Sequence, residues 1–184
     1  GFLPEALVNF LAFIGWNHGD EREIFSIEEL TKEFMLEKVQ KGGAIFNIEK
    51  LRWMNKEYIK KMPAVEFKKH IMECIPDSTR TLSGFNEKKL DAVLGIIGER
   101  MSTFNDITSM AEAGEIDYYF IAPEYSKEKL LWKEESDYTK TKTRLTQTIN
   151  ILETLDEASF TAEKIKEALW DYATQEGRGF VLWP

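Results

Sequence analysis

The chain has 184 residues, 43% hydrophobic and 30% charged, with a formal net charge of −8; this ordinary globular composition excludes the disordered and collagen-like classes. The acidic total also excludes a uniformly basic nucleic-acid binder. Yet residues 50–69 hold seven Lys/Arg against two Asp/Glu, a local positive field that phosphates feel within a screening length of about 10 Å.

Helical spacing dominates from the start. Pro4 suits a first helical turn, and Leu7, Phe10, Leu11 and Ile14 recur on one face until Gly15. The stretch from Ala6 to Gly19 lacks charge but contains Asn9, Asn17 and His18, and it is shorter than the roughly 18 to 20 apolar residues of a spanning helix. No membrane segment is expected. A polar loop occupies 16–25. Ser26 with Glu29 predicts a capping box, with Leu30, Phe34 and Met35 as the apolar face behind it. Gly42-Gly43 breaks the chain, Asn47 opens a third helix through Met62, and Pro63 closes the segment. Val65, Phe67, Ile71 and Met72 predict a short helix ending at Pro76. Asn86 then caps a long one, with Leu90, Val93, Leu94, Ile97, Met101 and Phe104 in phase from Glu87 to about Phe104. Residues 106–113 read as a further short helix before Gly114, and Pro123 marks a boundary. Beyond Ser126, Leu145, Ile149 and Leu152 share a face. Thr161 caps a last helix, with Phe160 placed to staple onto Ile165, Leu169 and Tyr172 buried, and Gly177-Arg178-Gly179 as its end. The fold expected is all-α, several short helices in three small units: 1–62, 63–125 and 126–184.

Catalysis finds no footing. His18 and His70 have no nucleophile beside them, and two histidines with the single Cys74 do not supply the close ligand set of a zinc site. The glycine pairs lack both the spacing and the lysine of a phosphate loop. No catalytic residue and no metal site are expected. Cys74 alone makes no internal disulfide, so the expected compartment is the cytoplasm. The first residue is Gly rather than Met and an apolar run, Phe180 to Trp183, meets the last residue; the chain is expected to be a piece of a longer protein, with that tail exposed or disordered.

Recognition is better supported. Projected at helical spacing, Leu51, Met54, Tyr58, Ile59, Met62 and Ile48 fall within an arc of about 140°. Trp53 falls on the opposite side, with Lys56 and Lys60 beside it and Lys50 and Arg52 at the edges. An indole among cations suits RNA, whose bases and sugars cover the ring while phosphates neutralise the charge; packing of Trp53 into a neighbouring helix among snorkelling lysines is the alternative. Arg100 sits at the flank of its helix's stripe, beside Val93 and Phe104. A packed guanidinium there suits either a base edge or a salt bridge to a nearby carboxylate.

At these residues the sequence resembles the bacterial-type glutamyl-tRNA synthetases, in their C-terminal, tRNA-binding half. The resemblance rests on Gly1-Phe2-Leu3-Pro4-Glu5-Ala6-Leu7 with Leu11, Gly15-Trp16 and Arg22-Glu23-Ile24-Phe25-Ser26. It continues through Ile45-Phe46-Asn47-Ile48-Glu49-Lys50-Leu51, Trp53-Met54-Asn55 and Tyr58-Ile59, and through the aromatic Tyr118-Tyr119-Phe120. Asn47 replaces the family's usual Asp. The resemblance implies stem-contact helices over 1–62, a first anticodon-binding unit over 63–125 and the start of a second over 126–184. It implies tRNA contacts from Lys50 and Trp53 and from Arg100, the last selecting the third anticodon base; Arg52, Lys56 and Lys60 join the expected tRNA-binding residues from their places on the basic side of the same helix. The implied partner is tRNA-Glu, with no membrane or DNA partner and a monomeric state. The HIGH-type and KMSKS-type catalytic motifs are missing, so ATP and Mg belong to a catalytic domain outside these residues and the fragment alone should be inactive. The competing expectation is a helical protein-interaction module with acidic faces.

Overall fold

A computed structural model describes residues 1–40, 42, 45–131 and 136–177. Among these every regular element is helical, with one isolated antiparallel bridge between Trp16 and Val39, so the all-α expectation holds. The chain divides into two compact units, Gly1–Pro123 and Glu124–Pro184.

In the first unit α1 spans Pro4–Gly15, but its buried residues are Ala6, Asn9 and Phe10. Leu7 and Leu11 are exposed, Leu11 at 61%, which corrects the leucine stripe expected from spacing. Hydrogen bonding turns the helix. Asn9 Nδ2 donates to the Glu23 carbonyl at 3.1 Å, and its Oδ1 accepts from the Phe25 amide at 2.8 Å. The Tyr58 hydroxyl shares its hydrogen between Asn9 Oδ1 (2.8 Å) and the Phe25 carbonyl (2.5 Å), and burial, with the charges of Glu5 and Glu29, pushes that hydroxyl up to about 12. The segment read as a polar loop therefore carries core: Trp16 and Phe25 are buried with Leu30.

Ser26 and Glu29 form the expected reciprocal cap of α2, Ile27–Glu33. Phe34 and Met35 lie past its end and are exposed, so Leu30 alone of the expected face is buried. Asn47 accepts from the Lys50 amide to open α3, Ile48–Lys61, which buries Leu51, Met54, Asn55 and Ile59 and leaves Ile48 exposed. Within the glycine break, Gly43 lies outside the described residues. Next come α4, Ala64–Cys74, and a short α5, Asp77–Arg80, that the sequence did not mark. On α4, Ile71 is buried, Phe67 and Met72 pack against the core, and Val65 is exposed.

The long helix from Asn86 is shorter than its periodicity predicts. It becomes α6, Glu87–Arg100, and α7, Phe104–Glu112. Asp106 makes the break. Its carboxylate accepts from the amides of Ser102 (2.7 Å) and Thr103 (2.9 Å) and from the Thr103 hydroxyl (2.9 Å), drawing those amides out of any continued helix. Leu90, Ile97, Met101 and Phe104 still join one buried cluster with Leu3, Ala6, Ile59 and Ile71, which is why the apolar phase runs unbroken through the joint. That cluster places segments 1–62 and 63–123 around a shared core.

In the second unit Asp137 caps α8, Tyr138–Leu152, and Thr161 caps α9, Ala162–Glu176. Arg144 pairs with Glu176 at 3.1 Å. Leu169 and Ala173 of α9 are buried, whereas Leu145, Ile149 and Phe160 are exposed, so the apolar face expected on α8 and the staple from Phe160 are not buried features. Gly177 comes after α9 at φ 95°; Arg178-Gly179 and Phe180 to Trp183 lie outside the described residues.

Candidate nucleic-acid interface

The indole of Trp53 is 40% exposed on α3, away from the buried Leu51 and Met54. Lys50, one turn before it, lays its ammonium over the ring at 4.1 Å from the centroid, a cation–π contact. The same ammonium meets Glu23 Oε2 at 2.5 Å. Carboxylate, cation and indole thus form a row on one face of the helix. A half-exposed ring with a cation over one face has its remaining exposed surface to offer a base or a ribose, with the cation beside it to meet phosphate charge.

The other cations of the basic window are drawn to separate anchors. Arg52 Nη2 reaches Asp106 Oδ1 at 3.0 Å, which ties α3 to the joint between α6 and α7. Lys56 donates to the Glu99 carbonyl near the end of α6 at 2.7 Å, complementing that helix's negative end. Lys60 pairs with Glu57 at 2.6 Å and is well exposed. Of the four cations expected around the indole, Lys50 is the one that lies over the ring. Exposed pairs of this kind contribute about 0 to 1 kcal/mol, so phosphate can displace the carboxylates from Lys50 and Lys60. Arg52 is different, because its partner Asp106 is held by three further hydrogen bonds. Burial by itself would raise the Asp106 carboxyl; the amides of Ser102 and Thr103, the Thr103 hydroxyl and the Arg52 charge outweigh it and hold the group below its ordinary value.

Arg100 is the last residue of α6. Its Nη2 meets Glu115 Oε2 at 2.5 Å and its Nη1 lies 3.4 Å from the Glu115 carbonyl. Because the helix stops at Arg100, Phe104 is not on the same helix, and the guanidinium is positioned from the chain beyond α7. Gly114, at φ +72°, permits the turn. The Gly114 amide donates to the Ala111 carbonyl at 3.0 Å and the Glu115 amide to the Met110 carbonyl at 2.8 Å, the paired bonds of a Schellman ending. Buried Ile116 anchors the chain just past this turn. Sequence reasoning missed Glu115, although a glycine after a predicted helix end was the available signal.

Between α3, α4 and α6 lies a groove of about 630 Å³, lined by Ile59, Phe67, Leu94 and Gly98 together with Lys56 and Lys60. His18 is bracketed by Asp20 (3.0 Å) and Glu33 (2.6 Å) and lies beside Arg22. Among the described residues, no three His, Cys, Asp or Glu side chains gather so as to hold a metal, and no helix is long and apolar enough to cross a membrane.

Known proteins resemble this chain along its whole length. Residues 49–184 match the anticodon binding domain family, and residues 1–53 match the catalytic domain family of class I (E and Q) tRNA synthetases. The two matches meet in the first turns of α3. A glutamate–tRNA ligase from Clostridium botulinum is 34% identical over 187 residues, covering all of this chain and 36% of that protein. One from Flavobacterium johnsoniae is 34% identical over 193 residues, covering all of this chain and 34% of that protein. A crystal structure of a glutamate tRNA ligase from Elizabethkingia meningosepticum, in complex with its amino acid, aligns at TM-score 0.65 and 33% identity, covering 98% of this chain and 33% of that one. The chain spans about a third of the length of the relatives it matches. With well over half of its residues matched, it belongs to the anticodon-binding-domain family, and along its whole length it is similar to part of bacterial glutamate–tRNA ligases.

Proposed function

We propose that this chain binds tRNA-Glu as the RNA-reading segment of a cytoplasmic glutamate–tRNA ligase, acting as a monomer, whose full form attaches glutamate to that tRNA with ATP. The observation that carries the reading is the exposed Trp53 indole with Lys50 over it, on the helix where the anticodon-binding match begins. A protein-interaction module with acidic faces has no use for that pair. Residues 1–62 would meet the stem of the tRNA through Lys50, Trp53, Lys56 and Lys60, with Arg52 holding the surface in place through Asp106. Residues 63–125 would read the anticodon through Arg100, and 126–184 would begin a second anticodon unit. On its pairing edge cytosine offers two acceptors, N3 and O2, to the guanidinium, whereas guanine offers one acceptor, O6, beside two donor groups that a guanidinium leaves unmatched.

Among the described residues no side-chain cluster fits Mg, and no phosphate loop fits ATP. The glycine turns lack phosphate-loop spacing, and the described carboxylates and histidines do not converge on a metal, so no step is assigned to them. Filter binding tests the reading directly: tRNA-Glu should be retained over an unrelated tRNA, and equal weak retention of both overturns it. ATP–pyrophosphate exchange by the fragment with glutamate and tRNA should stay at background; turnover would place activation chemistry within these residues.

A further inference from the structure

Gly95 and Gly98 lie inside α6, where glycine weakens a helix relative to alanine. Packing accounts for one of them. A methyl group at 98 would meet the Phe67 ring at 3.1 Å, whereas at 95 it would meet nothing within 4 Å, so among the described residues no neighbour requires that glycine. Gly95 lines the groove between α3, α4 and α6, together with Ile59, Phe67 and Leu94. At about 630 Å³ the groove falls within the roughly 300 to 1,000 Å³ of small-ligand sites. Its charges are divided by helix: α3 brings Lys56 and Lys60, and α6 brings Asp91, already bonded to Lys68 at 2.8 Å, and Glu99. A ligand with an anionic end and an N–H-donor end matches that division. At 100° per residue, Lys60 lies about 20° and Lys56 about 60° from Trp53 around α3, so the groove continues the face that carries the exposed indole.

We propose that this groove holds one unstacked nucleotide of the bound RNA, its base against the bare backbone of α6 at Gly95, its phosphate on Lys56 or Lys60 and its N–H donors toward Glu99. The proposal rests on the tRNA-binding function above and adds a site on the side of α6, about 140° around the helix from Arg100. A base turned out of an RNA loop has lost its stacking neighbours, and the apolar side chains here replace them. The lysines meet one phosphate. The carboxylates of α6 repel a second, so the groove suits a single nucleotide and not a run of RNA backbone.

The test uses the whole 184-residue chain with tRNA-Glu. Ultraviolet cross-linking, followed by nuclease and trypsin, should leave a nucleotide on the peptide 62–68, which carries Phe67, as well as on 53–56, which carries Trp53. Gly95→Leu fills the groove with a better helix former, so the melting temperature should hold or rise. Retention of tRNA-Glu on filters should weaken about tenfold, as for the loss of one stacked base, and the cross-link on 62–68 should vanish while that on 53–56 stays. Ala92→Leu puts the same side chain on an exposed position of α6 that does not line the groove, and it should bind like the unsubstituted chain. An unsubstituted chain that retains no tRNA-Glu overturns the function itself. Retention without a cross-link on 62–68, equal retention by Gly95→Leu, or an equal loss with Ala92→Leu overturns this site and leaves the function standing. A dimer in sedimentation that Gly95→Leu dissolves makes the occupant a second copy of the chain, and that too overturns the proposal.

Discussion

Two buried asparagines do more for the first unit than their polarity suggests. Asn55 Oδ1 accepts from the Leu3 amide at 2.7 Å and its Nδ2 donates to the Ser102 carbonyl at 2.5 Å, so one amide links the entry of α1 to the break after α6. Replacing it with leucine would leave both backbone groups buried without partners, at about 1 to 3 kcal/mol each. Asn55→Leu should lower stability by about 2 to 4 kcal/mol in urea unfolding; a loss below about 0.5 kcal/mol would show that water reaches both groups. The exposed Trp53 predicts the opposite pattern. Trp53→Ala should leave stability nearly unchanged yet weaken tRNA binding by about 1 to 3 kcal/mol, to a similar degree whatever the anticodon. A large stability loss, or a loss confined to one anticodon, would reassign the indole to the core or to the anticodon site. The Trp53 side of α3 was legible because a strong apolar stripe fixes the helix's rotation. Asn9 and Asn55 were not, since their value lies in backbone groups brought to them from distant segments.

At the scale of elements, the joint between α6 and α7 shows why periodicity misleads. Met101 and Phe104 keep the phase of Leu90 and Ile97 because both helices pack onto one core. The local signal against a continuous helix is Thr103 with Asp106 three residues later, a cap sequence inside the apolar run. The same logic accounts for α1, where side-chain hydrophobicity favours Leu7 and Leu11 while the hydrogen bonds of Asn9 set the actual rotation. Asp106 also gives the joint a pH dependence. Its native pKa lies below the ordinary value, so its contribution is complete above the unfolded value of about 3.9 and is lost as pH falls through the depressed native one. Asp106→Asn should therefore cost about 1 to 2 kcal/mol at pH 7 and show a shallower fall in stability below about pH 4 than the unsubstituted chain. Parallel acid titration curves for the two proteins would remove Asp106 from the acid response.

Across the whole molecule, an acidic chain that binds an acidic polymer must confine its attraction to a patch. Beyond about 10 Å screening hides the remaining carboxylates, so the net charge of −8 and the basic window of α3 are compatible. What each cation does then depends on its partner. Lys60 is well exposed and paired with Glu57, and Lys56 leans on the end of α6, so both can turn to phosphate. Arg52 is held by a carboxylate that also caps α7. Counterion release separates these cases, because each phosphate contact adds about 0.7 to 0.9 to the slope of log K against log salt. Lys56→Ala and Lys60→Ala should each flatten the slope for tRNA-Glu by about that amount, with melting temperature unchanged for Lys60→Ala and only slightly lowered for Lys56→Ala, which gives up the contact at the end of α6. Arg52→Ala should lower the melting temperature and leave the slope where it was, when binding is measured well below the transition. A flatter slope with Arg52→Ala and none with the lysines would move the phosphate path from the exposed face of α3 to the joint beside Asp106.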